Sequence, residues 1–160
     1  MASLVTAAET GNTEELERLL LAGGDPNFEV KPYIDQDGEE HEEMSAFCIA
    51  CLKKRTEIIS IILDKGYNIH ANLEKNKPKI GGLIPVLQPL LFAVLTGAAG
   101  AVNLLLQKGA DPNAVCVLDN DEGGTNKKTA VHYAVLGSIW NPDLEILRAL
   151  LENGGDPNKL

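Results

Sequence analysis

The sequence predicts an all-α repeat protein in which paired antiparallel helices stack into a solenoid, with extended β-hairpin-like fingers between the pairs. The turn "GGDPN" occurs at 23–27 and at 154–158, and "GADPN" lies between them at 109–113. Each turn follows an apolar helical pattern that ends in glycine, and "EIISIILDKGYNIHA" is a weaker fourth copy of this pattern. The terminal glycines recur at intervals of 43, 43 and 45 residues, at Gly23, Gly66, Gly109 and Gly154.

Each repeat contains a short helix followed by a longer one, such as "PLLFAVLTG" and "AVNLLLQKG" in the third copy. The short helix carries a small residue at the same place in every copy, and small side chains let neighbouring helices approach closely. Glycine ends the longer helix because it has no Cβ to penalise a positive φ. The predicted repeats 1 to 4 are 1–27, 45–71, 88–114 and 129–158, the fingers are 28–44, 71–87 and 114–128, and together they form one domain, 1–160.

The fourth copy has additional residues between its two helices, within "LGSIWNPD". Asn is a favoured N-cap, and Pro is favoured at the first position of a helix. We therefore expect a longer inter-helix turn in this copy, with Asn141 as the cap and Pro142 at the start of the second helix.

The run "QPLLFAVLTGAAGAVNLLLQKGADPNA" resembles an ankyrin repeat, whose usual form is T-P-L-H-x-A-A, a glycine, an apolar helix and then G-A-D-x-N. The segment "TAVHYA" at Thr129–Ala134 keeps the Thr and the His of that form. Four copies in phase cover nearly the whole chain. The second copy departs from the pattern, since Ser45–Cys48 replaces T-P-L-H and Lys54 replaces the glycine.

The repeat period distinguishes ankyrin repeats from HEAT and armadillo repeats. An ordinary ankyrin repeat has about 33 residues, whereas HEAT and armadillo repeats have about 40–47. HEAT repeats would need the surplus residues in longer helices. Here the surplus lies between the repeats, in segments rich in Gly, Pro, Asp and Asn that lack helical periodicity. The sequence therefore favours ankyrin repeats with lengthened fingers.

The composition limits the class of partner and the location. A net charge of −9 argues against a nucleic-acid or anionic-membrane surface. Three cysteines do not make a disulfide framework and suit a reducing compartment, and the N-terminus has no secretory signal pattern. The uncharged run 80–107 is long enough to cross a bilayer but is broken by Gly and Pro. We expect a monomer without membrane insertion, in the cytoplasm, with the nucleus left open.

Sequence motifs for catalysis are lacking: there is no Gly-rich phosphate loop, G-x-S-x-G or H-E-x-x-H. We expect no enzyme activity, cofactor or metal in these residues.

The C-x-x-C pair Cys48 and Cys51 lies on a predicted inner helix and is interpreted as core. The acidic loops lack the calcium-loop spacing, since the twelfth residue from Asp119 is Ala130. The ankyrin resemblance implies that the Thr129 hydroxyl caps the inner helix and that His132 ties adjacent repeats.

The resemblance also implies where partners bind, namely at the finger tips and at two variable positions on the concave face of each inner helix. The leucines that recur at one of these positions, here called the leucine row, are Leu52, Leu95 and Leu136. We expect Leu95 to be central and solvent-facing. Apolar groups aligned on an exposed face often bind a partner. The alternative is that the long fingers fold back and cover the row. The other candidate contacts are Lys53, Thr96, Asp37, Glu39 and Glu40.

These residues predict a protein–protein interaction module that binds a protein or peptide through the groove and fingers. The first finger is acidic and the second is basic, with Lys75, Lys77 and Lys79. This polarity can steer a partner's approach. The alternative function is a regulatory or docking segment of a larger enzyme or channel whose chemistry lies beyond residue 160.

Stacked repeats expose two ends, and both need a polar outer surface for solubility. In the first outer helix, Thr13 and Glu15 occupy places where the fourth copy carries Leu144 and Ile146. This difference predicts an N-terminal capping repeat. Because the fourth copy keeps its apolar stripe, we expect the chain to be the N-terminal part of a longer protein.

Asparagines at the turn of ankyrin repeats can be hydroxylated by asparaginyl hydroxylases, which favour a Leu eight residues earlier and an acidic residue two residues earlier. This resemblance implies three candidate modification sites. They are Asn27, Asn113 and Asn158.

Overall fold

The computed structural model describes residues 3–27, 30–34, 37–38, 40–71, 88–119, 125–140 and 144–159. In these residues the chain forms eight helices, which follow one another in four pairs. The pairs are α1 (Leu4–Thr10) and α2 (Thr13–Leu21), α3 (Ala46–Leu52) and α4 (Thr56–Asp64), α5 (Pro89–Leu95) and α6 (Ala99–Gln107), and α7 (Ala130–Trp140) and α8 (Glu145–Glu152).

The four pairs stack in chain order. The inner helices α1, α3, α5 and α7 each contact the next inner helix, and the outer helices α2, α4, α6 and α8 do the same. The core therefore runs along the stack as two parallel series of helix contacts. This is the all-α repeat solenoid that the sequence predicts.

Small buried residues bring the inner helices together, and serine side chains cap the starts of α1 and α3. Ala7, Ala50, Ala93 and Ala134 are all buried. The Ser45 side chain accepts a hydrogen bond from the backbone N–H of Cys48 at 3.2 Å, which satisfies one of the free donors at the start of α3. Large apolar side chains such as Phe47 and Phe92 fill the space between helices.

A glycine ends each outer helix, as predicted. The φ angles of Gly23, Gly66, Gly109 and Gly154 are 96°, 90°, 92° and 89°. In the third repeat the backbone N–H of Ala110 donates to the Leu105 carbonyl at 3.0 Å, the bond of a Schellman motif. The glycine thus lets the chain turn, and the Leu105 carbonyl at the end of the helix still accepts a hydrogen bond.

Among the described residues, the first and third fingers form antiparallel strand pairs. The first finger pairs β1 (Val30–Ile34) with β2 (Glu40–Ser45), and the register shifts between Lys31 and Tyr33, on either side of Pro32. Proline has no N–H for the ladder, so an irregularity here is expected. The third finger pairs β3 (Val115–Asp119) with β4 (Thr125–Thr129) in regular register. Most of the second finger, 72–87, lies outside the described residues.

The fourth repeat differs from the prediction. The additional residues were expected in a turn, but α7 continues to Trp140 and is 11 residues long, against 7 in each of the other inner helices. The helix ends just before "NPD", where the residue preceding a proline is disfavoured in the α conformation. The predicted roles of Asn141 and Pro142 lie outside the described residues. Among the described helices, none has both the length and the apolar character to cross a bilayer.

Replacing Gly109 by Val should destabilise the protein by about 1–2 kcal/mol, because a side chain in the left-handed region is strained. A Cβ built on Gly109 meets no atom within 4 Å, so the effect reports the backbone alone. The measurement is the urea midpoint followed by circular dichroism. Gly137→Ala is the matched control: Gly137 lies within α7 at a negative φ and in open space, so alanine should raise stability slightly. A Gly109→Val midpoint equal to wild type would contradict the assigned helix stop.

Candidate functional site

The leucine row is unevenly exposed. Leu52 is the last residue of α3 and 37% of its surface is accessible, and Leu136 on α7 is 43% accessible. Leu95, the last residue of α5, is instead partly buried against the core. The expectation of a solvent-facing Leu95 therefore does not match the structure. Its two counterparts are the accessible members of the row.

Leu95 lies at the junction of repeats 3 and 4 and packs partly against the core. It lines a cavity of about 360 Å³ together with Tyr133 of α7 and Ile146 and Leu147 of α8. The neighbouring Thr96 also lines this cavity, but its hydroxyl donates to the Phe92 carbonyl at 2.9 Å. Because its hydroxyl proton is already donated to the backbone, Thr96 offers mainly its methyl group to this surface.

The first repeat closes one end of the row with polar contacts. Glu9 occupies the position of the leucines, and the Lys31 ammonium of β1 lies 3.3 Å from its carboxylate. Lys31 also donates to the Thr6 hydroxyl at 3.0 Å, and Arg55 donates to the Glu9 carbonyl oxygen at 3.1 Å. The Lys31 bonds attach the first finger to α1, and the Arg55 bond attaches the turn between α3 and α4 to α1. The apolar row thus begins only at Leu52.

Charged candidate residues flank the row. Lys53 follows Leu52 directly and is exposed. Asp37 and Glu40 of the first finger are also exposed, in the short connection between its strands and at the start of β2. Glu39 lies outside the described residues. The described part of the finger thus presents acidic groups, while a lysine adjoins the first exposed leucine.

Two of the turn asparagines join one repeat to the next, a role that the local motif does not reveal. The Asn27 amide donates to the Gly66 carbonyl at 3.3 Å and accepts from the Asn68 backbone N–H at 2.7 Å. Asn113 makes the same pair of bonds, to the Gly154 carbonyl at 3.0 Å and from the Asp156 backbone N–H at 2.7 Å. The asparagine of "DPN" is therefore a link between repeats. Among the described residues the Asn158 side-chain amide makes no such bond.

The aspartate of "DPN" closes the local turn in each of these copies. The Asp25 carboxylate accepts from the Asn27 backbone N–H at 2.8 Å, and Asp111 and Asp156 do the same for Asn113 and Asn158 at 2.8 Å. Aspartate side chains commonly bond their own backbone two residues ahead. The turn and the link between repeats are therefore made by different side chains.

The junction between repeats 2 and 3 is built differently, because His70 stands where the other copies carry the linking asparagine. The Asn68 side chain still closes the turn, accepting from the His70 N–H at 3.0 Å. Tyr67 is buried and its ring stacks on Phe47 at a centroid distance of 4.6 Å. Across the junction, the Lys108 ammonium pairs with the Asp64 carboxylate near the ends of α6 and α4. The stack of Tyr67 on Phe47 lies within repeat 2. The junction itself is joined by the packing of α3 on α5 and of α4 on α6 and by this exposed ion pair.

His132 has a structural position. Its Nδ1 lies 3.2 Å from the Thr129 backbone nitrogen and 2.7 Å from the Thr129 hydroxyl, and Thr129 is fully buried. These bonds hold the first turn of α7. Both bonds lie within repeat 4, whereas the resemblance implies that His132 ties adjacent repeats. The resemblance also implies that the Thr129 hydroxyl caps the inner helix, whereas the hydroxyl here contacts the imidazole.

The cysteine pair is part of the core. Cys48 and Cys51 are fully buried, and burial raises the pKa of the Cys48 thiol to about 11 and that of Cys51 well above its ordinary value. Both thiols therefore stay protonated near neutral pH, while metal binding and nucleophilic attack need the thiolate. In the described segments no group of three or more His, Cys, Asp or Glu side chains could hold a metal ion.

Comparison with known proteins agrees with this architecture. A family model described as ankyrin repeats in three copies matches residues 4–116, and one described as ankyrin repeat matches residues 126–160. The chain belongs to the ankyrin-repeat family. No curated protein matches the chain. Ankyrin repeats are generally protein–protein interaction modules, and the family is typically non-catalytic.

Asn113→Ala should lower the free energy of unfolding by about 1–2 kcal/mol, because it removes both bonds that link repeat 3 to repeat 4. Asn158→Ala is the matched control. It keeps the same local turn but loses no described bond to another repeat, so its effect should stay within about 0.5 kcal/mol. Urea denaturation of both variants gives the comparison. Equal losses would show that the asparagines act within their own turns only.

Proposed function

We propose that this ankyrin-repeat domain binds a protein or peptide partner through the leucine row and the first finger. The observation that supports this most directly is the exposure of Leu52 beside exposed Lys53, at the inner-helix position where leucine recurs. A leucine that packed only for stability would be buried like its neighbours Ala50 and Cys51, which are both inaccessible. Leu52 and Leu136, the accessible members of the row, instead offer apolar area that a partner can cover.

The acidic groups of the first finger favour a partner that combines apolar and basic groups. Glu9 is already paired with Lys31, so it contributes little attraction. Asp37 and Glu40 are exposed on the first finger, and the whole chain carries a net charge of −9. Charges at the rim of a surface act mainly on the association rate and on specificity. The leucine row would therefore supply affinity, and the acidic finger would select and orient the partner.

Leu52 is the best position at which to test the row. Leu52→Asp places a charge on an exposed apolar contact that a partner must keep dry, which should cost about 2–4 kcal/mol of binding, the usual range for central interface residues. Because the side chain is accessible in the free protein, stability should change by less than about 1 kcal/mol. Leu95 is less suitable, since its partial burial mixes stability with binding.

The measurement uses peptides selected from a random library on the wild-type chain. Their affinities are compared for wild type, Leu52→Asp and the control Leu21→Asp, whose side chain on α2 is 77% accessible. The proposal predicts basic–apolar peptides that bind wild type and Leu21→Asp equally and Leu52→Asp far more weakly. Equal binding to all three proteins would contradict it. A strong loss of stability in Leu52→Asp would show that a finger covers the row.

The alternative use of the same surface is internal docking, as a regulatory segment of a larger enzyme or channel. In that case the row would be covered by another part of the longer protein. The longer protein would then bind the selected peptides weakly, while residues 1–160 alone would bind them well.

We further propose that the repeat turns are substrates of an asparaginyl hydroxylase, at Asn27, Asn113 and Asn158. The amides of Asn27 and Asn113 each make two bonds to the next repeat, and these bonds must break before an enzyme can enclose the side chain. Tandem mass spectrometry of protein from its native cell should find one added oxygen on at least one of the three asparagines. Unmodified protein would contradict the proposal.

A further inference from the structure

A lysine occupies a backbone position that two other repeats give to glycine. In the turn between inner and outer helix, Gly11 and Gly97 have φ angles of 77° and 69°, and Lys54 at the same place in repeat 2 has a φ angle of 54°. In the described part of the chain, Lys54 is the one residue other than glycine with a positive φ. A side chain in this left-handed region is strained, and strain of this kind is concentrated at functional sites. The Lys54 side chain is therefore a candidate for a role that glycine cannot fill.

The Lys54 side chain extends to the next repeat. A Cβ built on Gly97 would lie 3.9 Å from the Lys54 ammonium, so this ammonium lies beside the turn of repeat 3. Lys54 also lines the cavity of about 360 Å³ at the junction of repeats 3 and 4. Within the segments that the structure describes, the ammonium has no hydrogen-bond or ion-pair partner. An unpaired cation therefore lies at the wall of this cavity.

The cavity lies where two neighbouring inner helices differ in length. The helix α5 ends at Leu95, whereas α7 continues past the equivalent residue Leu136. Gly137, the first residue of α7 beyond this point, lines the cavity, and a Cβ built on it meets no atom within 4 Å. The side chains of Leu95 and Leu147 line it as well. The cavity thus combines apolar walls with space beside Gly137.

The charge next to the cavity is opposite in sign to that of the whole chain. Lys53–Arg55 is the longest run of basic residues in a chain whose net charge is −9. Arg55 donates to the Glu9 carbonyl oxygen at 3.1 Å, whereas the Lys54 ammonium is unpaired among the described residues. Sites for small molecules have volumes from about 300 Å³ upward and are mostly apolar, with a few polar groups that orient the ligand. The cavity has both properties.

We propose that the cavity between repeats 3 and 4 binds a small carboxylate that has an apolar chain. The apolar chain lies against Leu95 and Leu147 and fills the space beside Gly137, and the carboxylate pairs with the Lys54 ammonium. The ligand is opposite in charge to the basic–apolar partner proposed for the leucine row. The cavity is therefore a further site, and it does not rest on the proposed function.

The test compares octanoate with octanamide, which has the same chain but no charge. Each is titrated into the 15N-labelled chain, and the backbone amide signals of Gly97 and Gly137 report binding in the cavity. Octanoate should bind about tenfold more tightly than octanamide, because a hydrogen bond to a charged group contributes about this factor.

Two lysine variants separate the local cation from the overall charge. Lys54→Gln should weaken octanoate binding about tenfold and leave octanamide binding unchanged, since only octanoate uses the ammonium. Lys65→Gln is the matched control, because Lys65 is exposed after the end of α4, does not line the cavity and changes the net charge equally. It should leave the binding of both ligands unchanged.

Two further variants distinguish a ligand site from a purely structural role. Lys54→Gly should raise the urea midpoint, because glycine is unstrained at a positive φ, and should weaken octanoate binding as Lys54→Gln does. Gly137→Leu should weaken the binding of both ligands by filling the cavity, without lowering the midpoint, because leucine is the better helix former.

Four results would overturn the proposal. Octanoate and octanamide could bind the wild-type chain equally, or the Gly97 and Gly137 signals could stay unchanged. Lys54→Gln and Lys65→Gln could have equal effects, which would mean that Lys54 is not the cation that binds. Peptides selected on the leucine row could also displace octanoate, in which case the cavity is part of that surface. The peptide measurement with Leu52→Asp uses neither ligand, so the cavity proposal can fail while the proposed function stands.

Discussion

The structure depends on one constraint: a single helix pair of this protein cannot bury its own apolar side chains. Each repeat has apolar residues on more than one side, and the neighbouring repeat covers them. The contrast between Leu106, which is covered, and Leu151, which is not, shows how much of the core is made at the junctions. In such a stack, stability is close to a sum of repeat and nearest-neighbour contributions. The small inner-helix residues matter because they set how closely the repeats approach.

The junctions are not equivalent. Asn27 and Asn113 link their repeats to the next through paired amide bonds, while the junction of repeats 2 and 3 has His70 at that position and the exposed ion pair of Lys108 and Asp64. An exposed ion pair contributes only about 0–1 kcal/mol, so apolar packing has to hold this junction. Leu52 and Leu95 lie on its two sides. A partner that binds both leucines would therefore contact the two halves of the stack on either side of this junction.

Local signals in the sequence were enough to predict the helix pairs, the glycine stops and the buried cysteines, because each depends on a few adjacent residues and their periodicity. The links made by Asn27 and Asn113 could not be predicted in the same way. Their partners lie about 40 residues ahead, and the local motif explains the asparagine equally well as a turn residue. The recurrence of the asparagine in phase with the repeats was the available signal.

The candidate surface could likewise be predicted only in part. Counting positions along the inner helices found the leucine row but not the exposure of each leucine. Leu95 is partly buried and lines a cavity with residues of α7 and α8, and no pattern within repeat 3 indicates this. The length of α7 also differed from expectation, since the helix continues to Trp140 although Gly137 is a weak helix former. It ends before the proline, which disfavours a helical residue ahead of it.

Hydrogen–deuterium exchange of the native chain, resolved by repeat with mass spectrometry, tests most directly whether neighbouring repeats supply the stability. Exchange protection reports the free energy of local opening. The central repeats have a neighbour on both sides, so α4 and α6 should be the best protected outer helices. The helix α8, with Leu151 exposed, should exchange fastest among the outer helices of repeats 2 to 4. Protection of α8 equal to that of α4 and α6 would contradict this view of the stack.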